Sequence, residues 1–356
     1  MNNLTSTGPL AGVKVLDLCS VVSGPMSAVI LADQGADVIK VEPPGWGDGI
    51  RQLGASRNGL SAIFSMINRN KRSIALNLKH PEGVRLACNL AQNADVVIQN
   101  YRPGKMDKLG LGYDDLKQDH ADLIYASISG MGEIGPYAEQ RVYDYVIQGI
   151  SGVVDAQSTG EPEMVRTIIY DKVTALIAAQ GITAALFARA NGAGGQHIRL
   201  SMLDAGLYFN WPDLMWNYSF EGDDVQYAGD LADMYQVSKT RDGHIVSHHL
   251  GADTSSYGTD EIVDLLAANG IPVAKANSRA DVINDPQVLA MSILESSHHP
   301  RGGHMRFPRT PVRFEGTPTK PHLVSPEVGE HTVEILTELG MSLPEMNALA
   351  KQGAIG

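Results

Sequence analysis

Residues 13–42 read VKVLDLCSVVSGPMSAVILADQGADVIKVE, and this stretch decides the fold. Two β-branched runs, VKVLDLC (13–19) and DVIKVE (37–42), flank GPMSAVILADQG (24–35). The middle piece carries Pro25 near its start and Gly35 at its end, the punctuation of a helix. A strand, a crossover helix and a second strand form a parallel pair, because the helix returns the chain to the end where it began. The pattern continues outward: strand SIALNL (73–78), helix 81–94, strand DVVIQN (95–100), a helix over about 106–120, and strand LIYASISG (123–130). This alternation predicts an α/β fold built on a Rossmann-like parallel sheet, with ligands at the carboxyl ends of its strands.

Composition agrees with a globular chain. Of 356 residues, 43% are apolar and 19% charged, enough to bury a substantial core. The formal charge of −12 lacks the basic face that a nucleic acid or an anionic membrane surface would need. No basic segment followed by an apolar one opens the chain, and no uninterrupted apolar run is long enough to span a bilayer. Cys19 and Cys88 sit in apolar contexts without metal-ligand spacing, so both are expected as reduced core residues in a cytoplasmic protein.

Beyond residue 225 the texture changes. DMYQVSKTRDGHIVSHHL reads as two antiparallel strands joined at Arg241-Asp242-Gly243. A helix over 259–270 follows, then a proline- and histidine-rich stretch, so a smaller α+β domain is expected over 225–320. The large domain is expected to take residues 1–205 together with 325–356, with linkers at 206–224 and 321–324. In the tail, two short helices flank Gly340, and Ser342 is placed to cap the second.

Generic cofactor signatures are missing from the sequence: there is no G-x-G-x-x-G after the first strand, no P-loop and no H-E-x-x-H. GAGG (192–195) fits a helix end and turn. His248 and His249 alternate across a strand and cannot share one ion, and His298, His299 and His304 lack partners at ligand spacing. No metal site is expected. Lys79 follows strand 73–78, Asn100 ends strand 95–100 and Arg102 lies in the next loop, so all three sit on the carboxyl-end rim, where they would favour an anionic small molecule.

One carboxylate remains. IIYDKVTALIAAQ (168–180) runs from an apolar, strand-like piece through Asp171 into a helix over 172–190 that is apolar nearly all round. Such a helix is expected to be buried on several sides. Asp171 suits an N-cap, a role worth about 0.5–2 kcal/mol. The same position also suits a nucleophile, because a helix start favours the ionised carboxylate. Local chemistry leaves both readings open.

GVKVLDLCSVVSGPMSAVILADQGADVIKVEPPGWGD, NRNKRSIALNLKHPEG, ADVVIQNYRPGKMDKLGLGYDDL, LIYASISGMGEIGPYA, YDYVIQGISG, GGQHIRLSMLDAGL and GEHTVEILTELG occur in that order. Together they resemble the class III CoA-transferases, a family that includes formyl-CoA transferase, carnitine CoA-transferases and the α-methylacyl-CoA racemases. Residues 225–320 match loosely. The resemblance implies an interlocked homodimer, coenzyme A as a co-substrate with no permanently bound cofactor, and an acyl-CoA and a small carboxylic acid as partners. It carries the family's catalytic aspartate onto Asp171, which would pass through a mixed anhydride and an aspartyl-CoA thioester. CoA contacts carry over to Val21, Val22, Ser23, Leu76, Lys79, Asn100, Tyr101, Arg102 and Lys108, and Arg141 and Tyr143 are placed near the catalytic centre. The racemases use a His where this chain has Tyr143, and a phenol is a poor base at neutral pH, which favours transfer over racemisation. A racemase or a non-catalytic CoA-binding homologue are the alternatives. The run of glycines that closes over the site in formyl-CoA transferase is replaced here by HHLGADTSSYGTDE.

Overall fold

The computed structural model of the protein describes residues 7–158, 160–319 and 323–356; residues 321 and 322 of the expected linker lie outside that set. Its main sheet has six strands: β1 (Lys14–Asp17), β2 (Asp37–Glu42), β3 (Lys71–Ala75), β4 (Val96–Gln99), β5 (Ile124–Ser129) and β6 (Gln196–Ser201). They lie in the order β3-β2-β1-β4-β5-β6, and every pair is parallel. Two crossover chains leave β1 and β4 in opposite directions. The crevice between those neighbouring strands is therefore the switch point where a doubly wound sheet binds ligands.

Helices follow the same logic. The chain supplies α1 (Ser23–Asp33), α2 (Ala62–Asn68), α3 (Pro81–Gln92), α4 (Asp144–Ile150) and α5 (Ile169–Ala188). One sheet face buries Val15, Val38, Val96, Ile98, Ala126 and Ile128 against α1 and the Ala178, Ile182 and Ala185 side of α5. The other buries Leu16, Val97 and Tyr125 against Leu86 and Leu90 of α3. Alternate residues of each strand thus serve opposite layers. α1 ends on Gly35 at φ 102°, as its sequence predicts.

Several expectations need correction. The helix predicted over 106–120 is two separate turns, Asp107–Leu109 and Tyr113–Leu116. Gly110 takes φ 69° between them, a left-handed value that ends the first turn. The helix expected at 172–190 begins at Ile169, three residues earlier than its β-branched start suggested. It is also open on one side: Leu176 and Phe187 are 56% and 73% exposed in the single chain. By length and composition α5 could cross a bilayer, yet its Ala178–Leu186 side is a core layer of the sheet. Of the two free cysteines, Cys19 is buried and Cys88 is only half-buried.

The chain divides into two compact units, Met1–Ser151, Met164–Phe209 and Ser296–Gly356 forming the first, Gly152–Glu163 and Asn210–Glu295 the second. Within the first, the C-terminal tail closes the β3 edge. His331 N–H donates to Ser73 O (2.9 Å), Asn77 N–H to Ala354 O (2.9 Å) and Gly356 N–H to Ala75 O (3.2 Å). Arg72 joins Asp37 (2.8 Å) to Glu334 (2.9 Å) and Glu338 (2.8 Å) of the helix Thr332–Glu338. The last helix, Leu343–Lys351, starts at the expected N-cap Ser342, whose N–H (2.8 Å) and hydroxyl (2.6 Å) both donate to Glu345 Oε2. In the second unit, β7 (Tyr235–Lys239) and β8 (His244–His248) form the expected hairpin, and β9 (Val273–Lys275), absent from the sequence reading, pairs with β8. Asp242 in the hairpin turn accepts Thr259 N–H (2.8 Å), fixing the start of α6 (Thr259–Ala268).

Candidate active site

Asp171 is not an N-cap. It is the third residue of α5, and the N-cap position belongs to Ile168, which offers no side-chain acceptor. Capping is done from elsewhere. Asp144, at the start of α4, accepts the Tyr170 N–H (2.7 Å) and the Asp171 N–H (3.2 Å) on one carboxylate oxygen. Its other oxygen accepts Gln148 Nε2 (2.6 Å), and Gln148 also donates to Thr167 O (3.0 Å), anchoring the chain ahead of α5. An acid acting across space therefore satisfies first-turn donors that a local cap would otherwise take. This leaves the Asp171 carboxylate free of that duty. Sequence reasoning missed Asp144, although its place in YDYVIQ directly after Tyr143 marked it as a helix-start acid.

The Asp171 side chain is 9% exposed. Burial and the neighbouring Asp144 carboxylate push its pKa up to about 6, against a backbone hydrogen bond from Ser23 that favours the charged form. At pH 7 the group is still mostly ionised but poorly solvated.

Ser23 begins α1, and the loop before it is tied down atom by atom. Cys19 N–H donates to Asp17 (2.9 Å), and Cys19 O accepts from Lys40 Nζ (2.9 Å). Ser20 exchanges two bonds with the Asn100 amide, at 2.9 and 2.8 Å. Val21 N–H donates to Asp48 Oδ1 (3.0 Å). Val21 sits at φ 69°, a conformation that costs a β-branched residue on the order of 1–3 kcal/mol and clusters at functional sites. A Cβ on Gly24 would collide with the Cys19 side chain, so glycine lets α1 approach the loop.

Beneath the loop lies a buried ionic network that the sequence reading did not anticipate. Lys71 Nζ reaches Asp17 (2.8 Å), Pro25 O (2.8 Å) and Asn68 Oδ1 (2.9 Å). Lys40 Nζ pairs with Asp48 (3.0 Å) and lies 3.9 Å from Asp17. Burial would raise the Asp17 carboxyl, but Lys71 and Lys40 more than offset it and hold the group charged. The signal was available: a lysine alternating with valines in DVIKVE belongs on a buried strand only when paired.

Asn100 and Asp48 tie down the loop that carries Val21, Val22 and Ser23, and Val21 and Val22 share one apolar cluster with Ile168, three residues before Asp171. Asn100 spends its amide on Ser20, and Leu76 is a core side chain whose N–H is bonded to Glu42 O (2.9 Å). Tyr101 is half-buried against the α3 face. Lys79, Arg102, Lys108, Arg141 and Tyr143 are exposed. Arg102 lines a cavity of about 160 Å³ with Gln99, Tyr113, Ser127 and His197. Tyr143 stacks on Tyr145, with ring centroids 6.2 Å apart. His299 is a structural turn residue, its Nδ1 accepting from Arg301 N–H and Gly302 N–H. Among the described residues no group of three or more His, Cys, Asp or Glu could hold a metal ion.

A doubly wound sheet with a desolvated carboxylate beside its switch point defines an α/β enzyme able to do nucleophilic chemistry on a bound small molecule. The chain belongs to CoA-transferase family III, whose model matches residues 10–254 and 246–332. It is 42% identical to the acetyl-CoA:oxalate CoA-transferase of Acetobacter aceti, over 87% of this chain and 90% of that one. It is 33% identical to the succinate–glutarate CoA-transferase of Agrobacterium fabrum (93% and 96% covered) and 31% identical to the human succinyl-CoA:glutarate CoA-transferase (95% and 87%). Among solved structures, a CaiB/BaiF family protein from Brucella suis superposes with a TM-score of 0.82 at 31% identity, covering 94% of this chain and all of that one. The protein is an acyl-CoA:carboxylate CoA-transferase.

Proposed function

We propose that Asp171 carries the transfer as a covalent nucleophile. One observation carries this reading: a buried acid relieved of helix capping by Asp144 and contacted by the loop at the switch point. A carboxylate oxygen of Asp171 attacks the donor thioester carbonyl, and the C–S bond breaks to release CoA thiolate, leaving a mixed anhydride. The thiolate attacks the aspartyl carbonyl of the anhydride and expels the donor acid, giving an aspartyl-CoA thioester. The acceptor carboxylate then attacks that carbonyl to form a second anhydride with release of thiolate. Thiolate attack on the acceptor's acyl carbon frees Asp171 and the new acyl-CoA. The acyl bond's energy is retained throughout, and binding of the distant CoA moiety holds the reacting groups in place.

The acids are proposed to be short dicarboxylates, as in the oxalate and glutarate transferases to which the chain is similar. CoA is assigned to the first unit, at the β1 and β4 loops and the exposed Lys79, Arg102, Lys108 and Arg141. The working form is assigned as an interlocked homodimer, supported by the uncovered apolar side of α5.

Asp171→Ala is expected to abolish exchange while CoA still binds. Hydroxylamine or borohydride trapping during turnover should mark a peptide within residues 168–180. Exchange at wild-type rate in Asp171→Ala would end this assignment. A panel of acids should show higher kcat/KM for dicarboxylates than for monocarboxylates of equal length.

A further inference from the structure

The buried side of α4 is mostly polar. Asp144, Ile147, Gln148 and the C-cap Ser151 follow the i, i+3, i+4, i+7 spacing of one helix side. All four are buried, while Tyr145 and Ile150 are exposed. A surface helix is normally held by apolar side chains, and a buried polar group costs free energy unless it is hydrogen-bonded. Here the three polar groups all bond to the chain that leads into α5. Asp144 accepts the Tyr170 and Asp171 N–H groups on Oδ2, at 2.7 and 3.2 Å. Ser151 Oγ donates to the Tyr170 hydroxyl (2.8 Å). Between them, Gln148 Nε2 donates to Asp144 Oδ1 (2.6 Å), Thr167 O (3.0 Å) and Val165 O (3.2 Å). Gln148 Oε1 is buried without a partner among the described residues, so the amide serves here through its N–H donors.

We infer that this inward side of α4, with Gln148 at its centre, positions the nucleophile: Gln148 and Ser151 fix where α5 starts, and so where the Asp171 backbone stands. The inference rests on the reading of Asp171 given above. Ile168-Ile169-Tyr170 has the composition of a strand, and no side chain at the N-cap position holds the start of α5. Its first turn takes an acceptor from Asp144 instead. Gln148 aims that acceptor and holds the two carbonyls just ahead of the helix, so one amide sets both sides of the junction. Without it the first turn frays, and the Asp171 backbone moves with it. A displacement of about 1 Å at a reacting group costs on the order of 10²-fold in rate. The charged residues at the junction are Asp144 on α4, exposed Arg166 in the chain between, and Asp171 and Lys172 on α5. The Lys172 ammonium is held by Thr167 Oγ1 at 2.8 Å.

The test compares full-length variants. Gln148→Met keeps the side chain's shape and removes its donors. It should lower kcat by about 10–100-fold while KM for acyl-CoA changes by less than about 3-fold. Hydrogen exchange read by mass spectrometry should quicken by about 10-fold or more at the Tyr170 and Asp171 amides, with the β1 and β4 amides unchanged. Gln148→Glu regains a donor only when its carboxyl is protonated. Its kcat relative to wild type should therefore rise as pH falls from about 8 to about 6, because the group is set against Asp144 and two carbonyls. In Gln148→Met the same ratio should stay flat, and a role in packing alone would give the two variants parallel profiles. If neither variant folds, Ser151→Ala gives up only its bond to Tyr170 and should still quicken exchange at the two amides by about 2–10-fold. Wild-type kcat or wild-type exchange at those amides in folded Gln148→Met, parallel profiles for the two Gln148 variants, or, where Ser151→Ala is the variant read, wild-type exchange there, overturns the inference. Absence of a trapped adduct on wild-type Asp171 would instead overturn the nucleophile, while the exchange rates would still decide whether α4 sets the start of α5.

Discussion

Asp171 is held buried beside a second carboxylate, at a cost in stability. Burial and Asp144 push its carboxyl up to about 6 in the fold, against about 3.9 in an unfolded chain. The native state therefore binds more protons than the unfolded one between those values, and stability falls as pH rises from about 4 to about 6. The loss is up to about 3 kcal/mol. Asp171→Asn, which cannot ionise, should eliminate exchange and raise the thermal midpoint at pH 7, with little gain at pH 4; differential scanning calorimetry at the two pH values checks this. Asp144 makes the opposite prediction for the titration. Asp144→Asn keeps an oxygen for the two N–H donors and removes the like charge, so the acidic limb of the kcat/KM profile should move to lower pH. An unchanged limb would mean that burial alone sets the Asp171 pKa.

At the scale of elements, the strands were legible because each is a short β-branched run between turn signals. DVIKVE was bounded at 37–42, as the structure has it. The start of α5 was not legible. Ile168-Ile169-Tyr170 has strand composition, and the helix begins there because an acid 26 residues upstream accepts the Tyr170 N–H. Local propensity yields to a partner that only the tertiary fold supplies. The helix expected over 106–120 is broken for a different reason: Gly110, at φ 69°, ends the first turn, and the second starts only after Gly112. Of the candidate site, Asp171 and the residues at the strand ends could be read from the sequence and Lys40 left a signal in DVIKVE, whereas Asp48 and Lys71 could not be read, because pairing between separated pieces of chain has no local signature. Their burial makes a sharp stability prediction. Lys71→Met removes the principal partner of Asp17 and should cost about 3–5 kcal/mol, since it strands a buried charge. Urea denaturation would measure it, and a cost below about 1 kcal/mol would show that Lys40 alone suffices.

For the whole molecule, α5 presents Leu176, Gln180, Ala184 and Phe187 as one exposed stripe, since positions separated by four and eleven residues return to the same side of a helix. The stripe is expected to lie under the second chain of the proposed dimer. Leu176→Asp with Phe187→Asp should shift sedimentation toward monomer and reduce exchange with it. Wild-type sedimentation in the double variant would place the interface elsewhere. Because Ala354 and Gly356 complete the hydrogen bonding beside β3, that side of the sheet stays unprotected during synthesis until these residues clear the ribosomal exit tunnel. Premature termination before residue 330 would release a chain with an open sheet edge, a target for chaperone capture or for pairing with another nascent copy.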